Sequence, residues 1–341
     1  MHPTRPGDSV VVGTLKNGGL TVFDLRGREL QHITTPPGGR FNNVDVTGDL
    51  AVVSDRGLDR IRVYAIDPRG ARARTVLTDV TTAAPPLVFS ADEHEVEDQR
   101  TAYGLTAWAP GGAPFVVVSR RHETRLGLFR LTRTDDGLGY RPVAFVDLAA
   151  SFGGWTPCAD PGELPQIEGM VVDRTDNVLY AAQEDVGIWR IPLSRTGFGR
   201  PVLIERVRSF GQPATYDGET EECTPTGPPS PAAGTHLTAD AEGLTIAYQG
   251  GERTLYASSQ GDSTFARYRL DGRFRYVGGF AVVDSAIDGV QHSDGAAVTT
   301  TPLGPDYPRG LLVLHDGENT PVTPGEDGEP RTDTNFKLIR R

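Results

Sequence analysis

The chain has 341 residues and a net charge of −11, from 34 basic and 45 acidic side chains. That balance excludes a nucleic-acid or anionic-membrane partner held by broad electrostatics, and no apolar run approaches the roughly 18 residues of a membrane span. With 41 glycines, 26 prolines and few helix-favouring runs, the composition predicts an all-β protein rich in turns, at a length that repeat architectures often reach as one unit.

The first nine residues, MHPTRPGDS, carry no basic n-region and no apolar h-region, so no signal peptide is visible. Two kinds of apolar segment then alternate. One kind opens with a polar residue, usually followed by Gly, and continues with alternating apolar positions. It occurs at Asn43-Val44, Tyr103-Gly104, Glu168-Gly169, Glu242-Gly243 and Asp294-Gly295, with separations of 60, 65, 74 and 52 residues. That uneven period suits four-stranded units with long loops.

Each opening is followed by a more apolar strand ending in polar residues: 51–56 (AVVSDR), 115–121 (FVVVSRR), 178–185 (VLYAAQED), 254–260 (TLYASSQ) and 310–316 (GLLVLHD). A sixth such strand, 10–16 (VVVGTLK), stands alone near the start. Third strands follow most of them, at 20–25, 61–66, 126–131, 187–191 and 264–270. Six units of short antiparallel strands, with no helical periodicity between them, predict a single six-bladed β-propeller domain of four-stranded blades over residues 1–341. Six second strands against five openings further predict that the innermost strand of one blade is missing at the N-terminus.

The interruptions are Pro-, Gly- or charge-rich. Residues 208–239 show no strand pattern and predict a long surface loop, and 151–166 reads similarly. The charge runs 92–98 (DEHEVED) and 326–329 (EDGE) read as solvated loops, so His94 is no sign of a metal. Cys158 and Cys223 lie in the two Pro/Gly-rich segments, open to either a disulfide or two free thiols.

In a propeller the innermost strands begin at one end of the central channel, so Asn42, Asn43, Tyr103, Glu168, Glu242 and Asp294 are predicted to form a ring. Asp240, Asp288 and Glu184 supplement its acids. A lone carboxylate at a strand end usually caps a turn, but facing carboxylates repel unless a cation lies between them. Oxygen donors without His or Cys select Ca²⁺ or Mg²⁺, and a flexible many-oxygen ring favours Ca²⁺. The first blades instead end in Lys16, Arg56 and Arg120-Arg121-His122. Cations on one arc and acids on the other suit a multivalent anion bridged by metal.

These segments carry a family resemblance. Asp240-Ala241-Glu242-Gly243-Leu244-Thr245-Ile246 with Ala257-Ser258-Ser259-Gln260-Gly261, then Asp316-Gly317-Glu318-Asn319 and Asn335-Phe336-Lys337, closely resemble the β-propeller phytases. Phe41-Asn42-Asn43-Val44-Asp45 and Ala182-Gln183-Glu184-Asp185 agree, and the resemblance spans nearly the whole chain. It implies a calcium-dependent, secreted, monomeric hydrolase of phytate that binds several ions. Carried over by position, Glu168, Glu184, Asp240, Glu242, Asp288 and Asp294 match the family's calcium cluster. Lys16, Arg56 and Tyr103 match its phosphate-binding side chains, with Asn42, Arg121 and His122 beside them. A family lysine–glutamate pair falls in Ser119-Arg120-Arg121-His122-Glu123; ungapped it lands on His122 and Glu123, while Arg121 is the better cation. The family's acidic Asp-Asp-Pro-Ala element before His2-Pro3 is lacking, and the 208–239 stretch and both cysteines are additions.

The chemistry expected is in-line attack on phosphorus by metal-activated water without a phosphoenzyme, with Lys16, Arg56, Tyr103, Glu168 and Glu242 as the catalytic set. Two other readings remain: a calcium-dependent propeller lactonase or arylesterase, and a non-catalytic propeller that binds ligand and uses calcium structurally.

Overall fold

A computed structural model describes residues 1–322 and 334–341; the acidic run 326–329 lies outside the described residues. The strands are almost all consecutive antiparallel neighbours. β1 (Val11–Thr14), β2 (Leu20–Phe23) and β3 (Glu29–Ile33) form the first sheet. β4 (Phe41–Thr47), β5 (Leu50–Asp55), β6 (Arg60–Ile66) and β7 (Leu77–Asp79) form the second. β8 (Ala102–Trp108), β9 (Phe115–Arg120), β10 (Arg125–Arg133) and β11 (Leu138–Asp147) form the third.

The fourth contains β12 (Ile167–Asp173), β13 (Val178–Gln183), β14 (Gly187–Ser194), β15 (Gly197–Phe198) and β16 (Val202–Arg206). A separate hairpin, β17 (Ala214–Asp217) with β18 (Glu222–Pro225), precedes the fifth sheet. That sheet is β19 (Ala241–Gln249), β20 (Glu252–Ser259), β21 (Thr264–Arg269) and β22 (Arg275–Phe280); β23 (Ala296–Thr299), β24 (Leu311–Asp316) and β25 (Asn335–Arg340) make the sixth. The fold is a six-bladed β-propeller, as the alternating segments predict, with blades of three to five strands rather than a uniform four.

Each predicted opening lies on or just before the first strand of a sheet, and each more apolar segment is the strand after it. The second strands are nearly continuous apolar runs because both their faces are covered; β9, for example, is buried from Phe115 through Ser119. Packing falls between neighbouring sheets. Val52, Ile61 and Val63 of the second sheet share one cluster with Leu105, Val116, Val118 and Phe129 of the third. Leu20 and Val22 of the first join Phe41, Ala51 and Val53 of the second. In the first sheet β1, the counterpart of the second strands elsewhere, is the edge and packs on β4.

Two expectations are corrected. The 208–239 stretch is not purely loop, since β17 and β18 pair from Ala214↔Pro225 to Asp217↔Glu222. Its residues are exposed or half-exposed on both faces, so no apolar alternation marks it. The 92–98 run is not simply solvated either. It holds a one-turn helix, α1 (Glu93–Val96), whose N-cap Asp92 accepts from the His94 and Glu95 amides. Glu93 pairs with Arg60 at 2.5 Å, and Glu95 with Arg120 at 2.7 Å.

The chain forms two compact units. Met1–Ala150, Pro161–Tyr180 and Arg190–Val202 make the first; Ser151–Asp160, Ala181–Trp189 and Leu203–Arg341 make the second. In the second, Cys158 and Cys223 are joined, with S–S 2.06 Å and Cα–Cα 6.1 Å, which closes the alternative of free thiols. The bridge ties β18 to a segment whose Phe152 and Trp155 rings pack on Phe210 at 5.2 and 5.0 Å. No helix among the described residues is long and apolar enough to cross a membrane.

Candidate functional site

One backbone device aims the opening residues. Three first strands carry a register shift at the same place: Phe41↔Asp55 gives way to Val44↔Val53, Ala102↔Arg120 to Leu105↔Val118, and Ala241↔Ser259 to Leu244↔Ala257. Each is a β-bulge with one extra residue, which bends the strand and turns a side chain out of the alternation. The residues inside the bulges are Asn42-Asn43, Tyr103-Gly104 and Glu242-Gly243. The glycines allow close backbone approach. A Cβ on Gly104 would lie 2.2 Å from the Glu168 carbonyl oxygen, and one on Gly243 would lie 2.8 Å from the Gly295 Cα.

Hydroxyls on the preceding strands lock the openings in place. Thr14 Oγ1 donates to the Asn42 carbonyl at 2.7 Å, Ser54 Oγ to Tyr103 at 2.5 Å, Ser119 Oγ to Ile167 at 2.5 Å and Ser258 Oγ to Ser293 at 2.7 Å. Sequence reasoning passed over these residues, although a serine near the end of AVVSDR, FVVVSRR and TLYASSQ is itself a repeat signal.

In the first unit the openings converge on Glu168, which is buried with Asn42 and Tyr103. Asn42 Nδ2 donates to Glu168 Oε1 at 2.8 Å and the Tyr103 hydroxyl to Oε2 at 2.6 Å. Arg56 Nη1 donates to Asn42 Oδ1 at 3.3 Å, and its guanidinium lies 5.7 Å from the Tyr103 ring centroid. Burial first, then the charges of Arg121 and Arg40, pull the Arg56 pKa down to about 10. No carboxylate among the described residues pairs with Arg56 or Arg121, and Arg56 Nε is buried without a hydrogen-bond partner among them.

His122 has a left-handed backbone, φ 55°. Its Nδ1 lies 3.0 Å from Glu163, and its amide donates to Gln166, whose Nε2 reaches the Tyr103 hydroxyl at 3.4 Å. Burial, then Arg121, Arg100 and Arg56, push its pKa down to about 4. It is neutral at pH 7 and adds no charge to the basic arc. Arg120 leaves the arc too, since it pairs with Glu95 and donates to the Arg100 carbonyl. Glu123 accepts from Arg100 at 3.1 Å. Lys16 is exposed at φ 50° and bridges to Phe41 at the foot of β4.

In the second unit, Glu184 and Glu242 are buried with carboxylate oxygens within 4.8 Å of one another. The Ala241 amide donates to the Glu184 carbonyl at 2.8 Å, linking the two chain segments. Burial and then Asp240 raise Asp185 to about 7, and burial and then Asp294 raise Asp240. Gln260 Nε2 donates to Asp294 Oδ1 at 2.7 Å. Asp185, Gln166 and Gln260 were not among the expected site residues. Asp288 has different company: its Oδ1 meets the buried Lys337 ammonium at 2.6 Å, which also reaches Asp316 at 2.8 Å, and its Oδ2 accepts from the Thr320 amide. The Lys337 hydrogen bond, then that amide, holds Asp288 below the usual carboxylate range.

Crowded carboxylates with raised pKa values and an all-oxygen donor set fit a hard divalent cation. The family model for Phytase matches residues 1–94 and 215–341. This chain belongs to the phytase family. A 3-phytase of Bacillus subtilis is 30% identical to it, covering 99% of this chain and 77% of that enzyme. A solved calcium-binding protein, regucalcin of Agrobacterium tumefaciens, matches in fold, with a TM-score of 0.50 and 13% identity over 94% of this chain and 82% of that one. The phytase membership makes the chain a phosphatase-type hydrolase.

Proposed function

We propose that this chain hydrolyses phosphomonoesters of phytate in a calcium-dependent reaction, with water rather than a side chain as nucleophile, as a secreted monomer. The observation that carries the reading is Arg56. It is a half-buried guanidinium with no carboxylate partner among the described residues, crowded by Arg121 and Arg40. Such like-charge crowding costs stability unless an anion relieves it, and guanidinium forks match phosphoryl oxygens in pairs. With its pKa near about 10, Arg56 stays cationic at neutral pH and can stabilise charge on the equatorial oxygens.

Tyr103 and Asn42 hold both oxygens of Glu168 in one orientation, and His122 serves as a neutral hydrogen-bonding group. Lys16 and Arg121 are the further phosphate contacts in this reading. The metal is assigned to Glu184, Asp240, Glu242 and Asp294, with Glu168 carried over from the family pattern; Asp288 joins only by giving up Lys337. When bound, calcium supplies the charge that lets an acidic protein accept a polyanion and polarises the phosphoryl group under attack.

The test is orthophosphate release from phytate with and without calcium. Full activity in the metal-free protein overturns the reading. Arg56→Ala is expected to depress phytate turnover. If that variant keeps turnover and the protein opens lactones, the reaction is a lactonase one. Tight phytate binding with no orthophosphate release would mark a binding module.

A further inference from the structure

We infer that the third blade carries a second anion site, remote from the Tyr103 cluster, that holds a small ligand bearing two or more phosphoryl groups. A row of directly opposed residues crosses this sheet: Trp108↔Phe115 between β8 and β9, Phe115↔Arg130 between β9 and β10, and Arg130↔Arg141 between β10 and β11. Directly opposed residues project from the same face. The row therefore runs from a buried aromatic pair, ring centroids 5.5 Å apart, to two exposed arginines side by side.

A third arginine closes the cleft. Arg195, in the β14–β15 turn, lies over Gly111, where a Cβ would fall 2.3 Å from its Nη2. Gly111 is also left-handed, at φ 62°, so glycine is required there twice over. Ala113, Phe115, Arg130, Arg141, Val143 and Arg195 line a cleft of about 470 Å³.

Like charges directly opposite one another on a sheet destabilise it. Here none of the three guanidiniums has an ion-pair partner among the described residues, in a chain with 45 acidic side chains to draw on. A fold that lines one cleft with three arginines and no carboxylate leaves them for an oxyanion from outside. At about 30 Å³ per water, 470 Å³ has room for on the order of fifteen waters, several times a single phosphate. Ala113 and Val143, both half-buried, offer an apolar edge to a carbon skeleton. Tyr103 and Trp108 sit five residues apart on β8, so roughly 17 Å of strand separates this row from the Tyr103 end. The inference does not depend on the catalytic reading.

The experiment is calorimetric titration of the whole chain, in calcium-free buffer of low ionic strength, with fructose 1,6-bisphosphate, pyrophosphate and orthophosphate. Saturable binding of the first two, each tighter than orthophosphate, is expected. Their ratio tells whether the carbon skeleton contributes. The Arg130→Gln/Arg141→Gln double variant should weaken binding at least about thirtyfold, and Arg195→Gln at least about fivefold. Both should keep or raise the melting temperature, because like-charge repulsion is removed, and both should keep phosphate release from phytate unchanged. Arg133→Gln, on the same strand outside the cleft, is the control and should leave affinity within about twofold of the parent. Absence of saturable binding, equal affinity for orthophosphate, or an Arg133→Gln loss as large as that of the cleft variants would overturn the inference.

Discussion

Replacing Gly104 by alanine tests whether the opening glycines exist to let neighbouring inner strands touch. The new Cβ would meet the Glu168 carbonyl oxygen at 2.2 Å, more than 1 Å inside an ordinary carbon–oxygen contact. That oxygen is backbone of β12, so it cannot swing away, and the strands must separate. Overpacking of this kind costs about 1–3 kcal/mol. Separation also stretches the hydrogen bonds that Tyr103 and Asn42 donate to Glu168 at 2.6 and 2.8 Å, each worth about 1.5–3 kcal/mol to a charged acceptor. Against this stands a gain of about 0.4–1 kcal/mol from a stiffer unfolded chain. A net loss of about 1.5–5.5 kcal/mol follows if half of that bonding is lost. The matched control is Gly295→Ala at the same position of the last blade, where the nearest atom is His315 Cβ at 3.7 Å, an ordinary contact. Urea unfolding of the two variants beside the parent measures both. Gly104→Ala should shift the midpoint strongly downward and Gly295→Ala should stay within about 1 kcal/mol. Equal midpoints for the two variants would refute the close-approach argument.

Loss of the Cys158–Cys223 bridge, with its sequence separation of 65, should cost about 4 kcal/mol by loop-closure entropy. Cys223→Ser and reductant should therefore lower the melting temperature by the same amount, and reductant should do nothing further to the variant. The metal-free protein should also lose stability with rising pH. The folded Asp185 carboxyl, raised from 3.8 to about 7 by burial and Asp240, binds its proton more tightly than the unfolded one does. Its stabilisation is complete below about pH 4 and is lost as pH rises through about 7. Calorimetric scans across that window should show the decline, Asp185→Asn should flatten it, and a flat profile in the parent would contradict the assignment.

The blades were legible because burial on both faces writes itself into the chain. Second strands such as β9 and β13 read as apolar runs, and the polar-Gly openings recur at nearly every first strand. The β17–β18 hairpin was not legible because it buries neither face, and α1 was hidden because a single turn is too short to show a period. The openings singled out Tyr103 and Glu242, which the structure places inside bulges, since a bulge needs a residue that leaves the alternation. Nothing local marked Gln166 or Gln260, whose partners lie 63 and 34 positions away.

By itself the sequence determined the fold class and the family, because both rest on short-range periodicity and on motifs of a few residues. Tertiary structure alone decided how the charges are shared out. Arg120 is engaged by Glu95, Asp288 by Lys337, and His122 is held neutral by burial and then by the charges of Arg121, Arg100 and Arg56. Arg56, Arg130, Arg141 and Arg195 are left without a carboxylate among the described residues. Whether a charge is satisfied depends on distances of a few ångströms between segments remote in the chain, and a one-dimensional pattern holds no record of them.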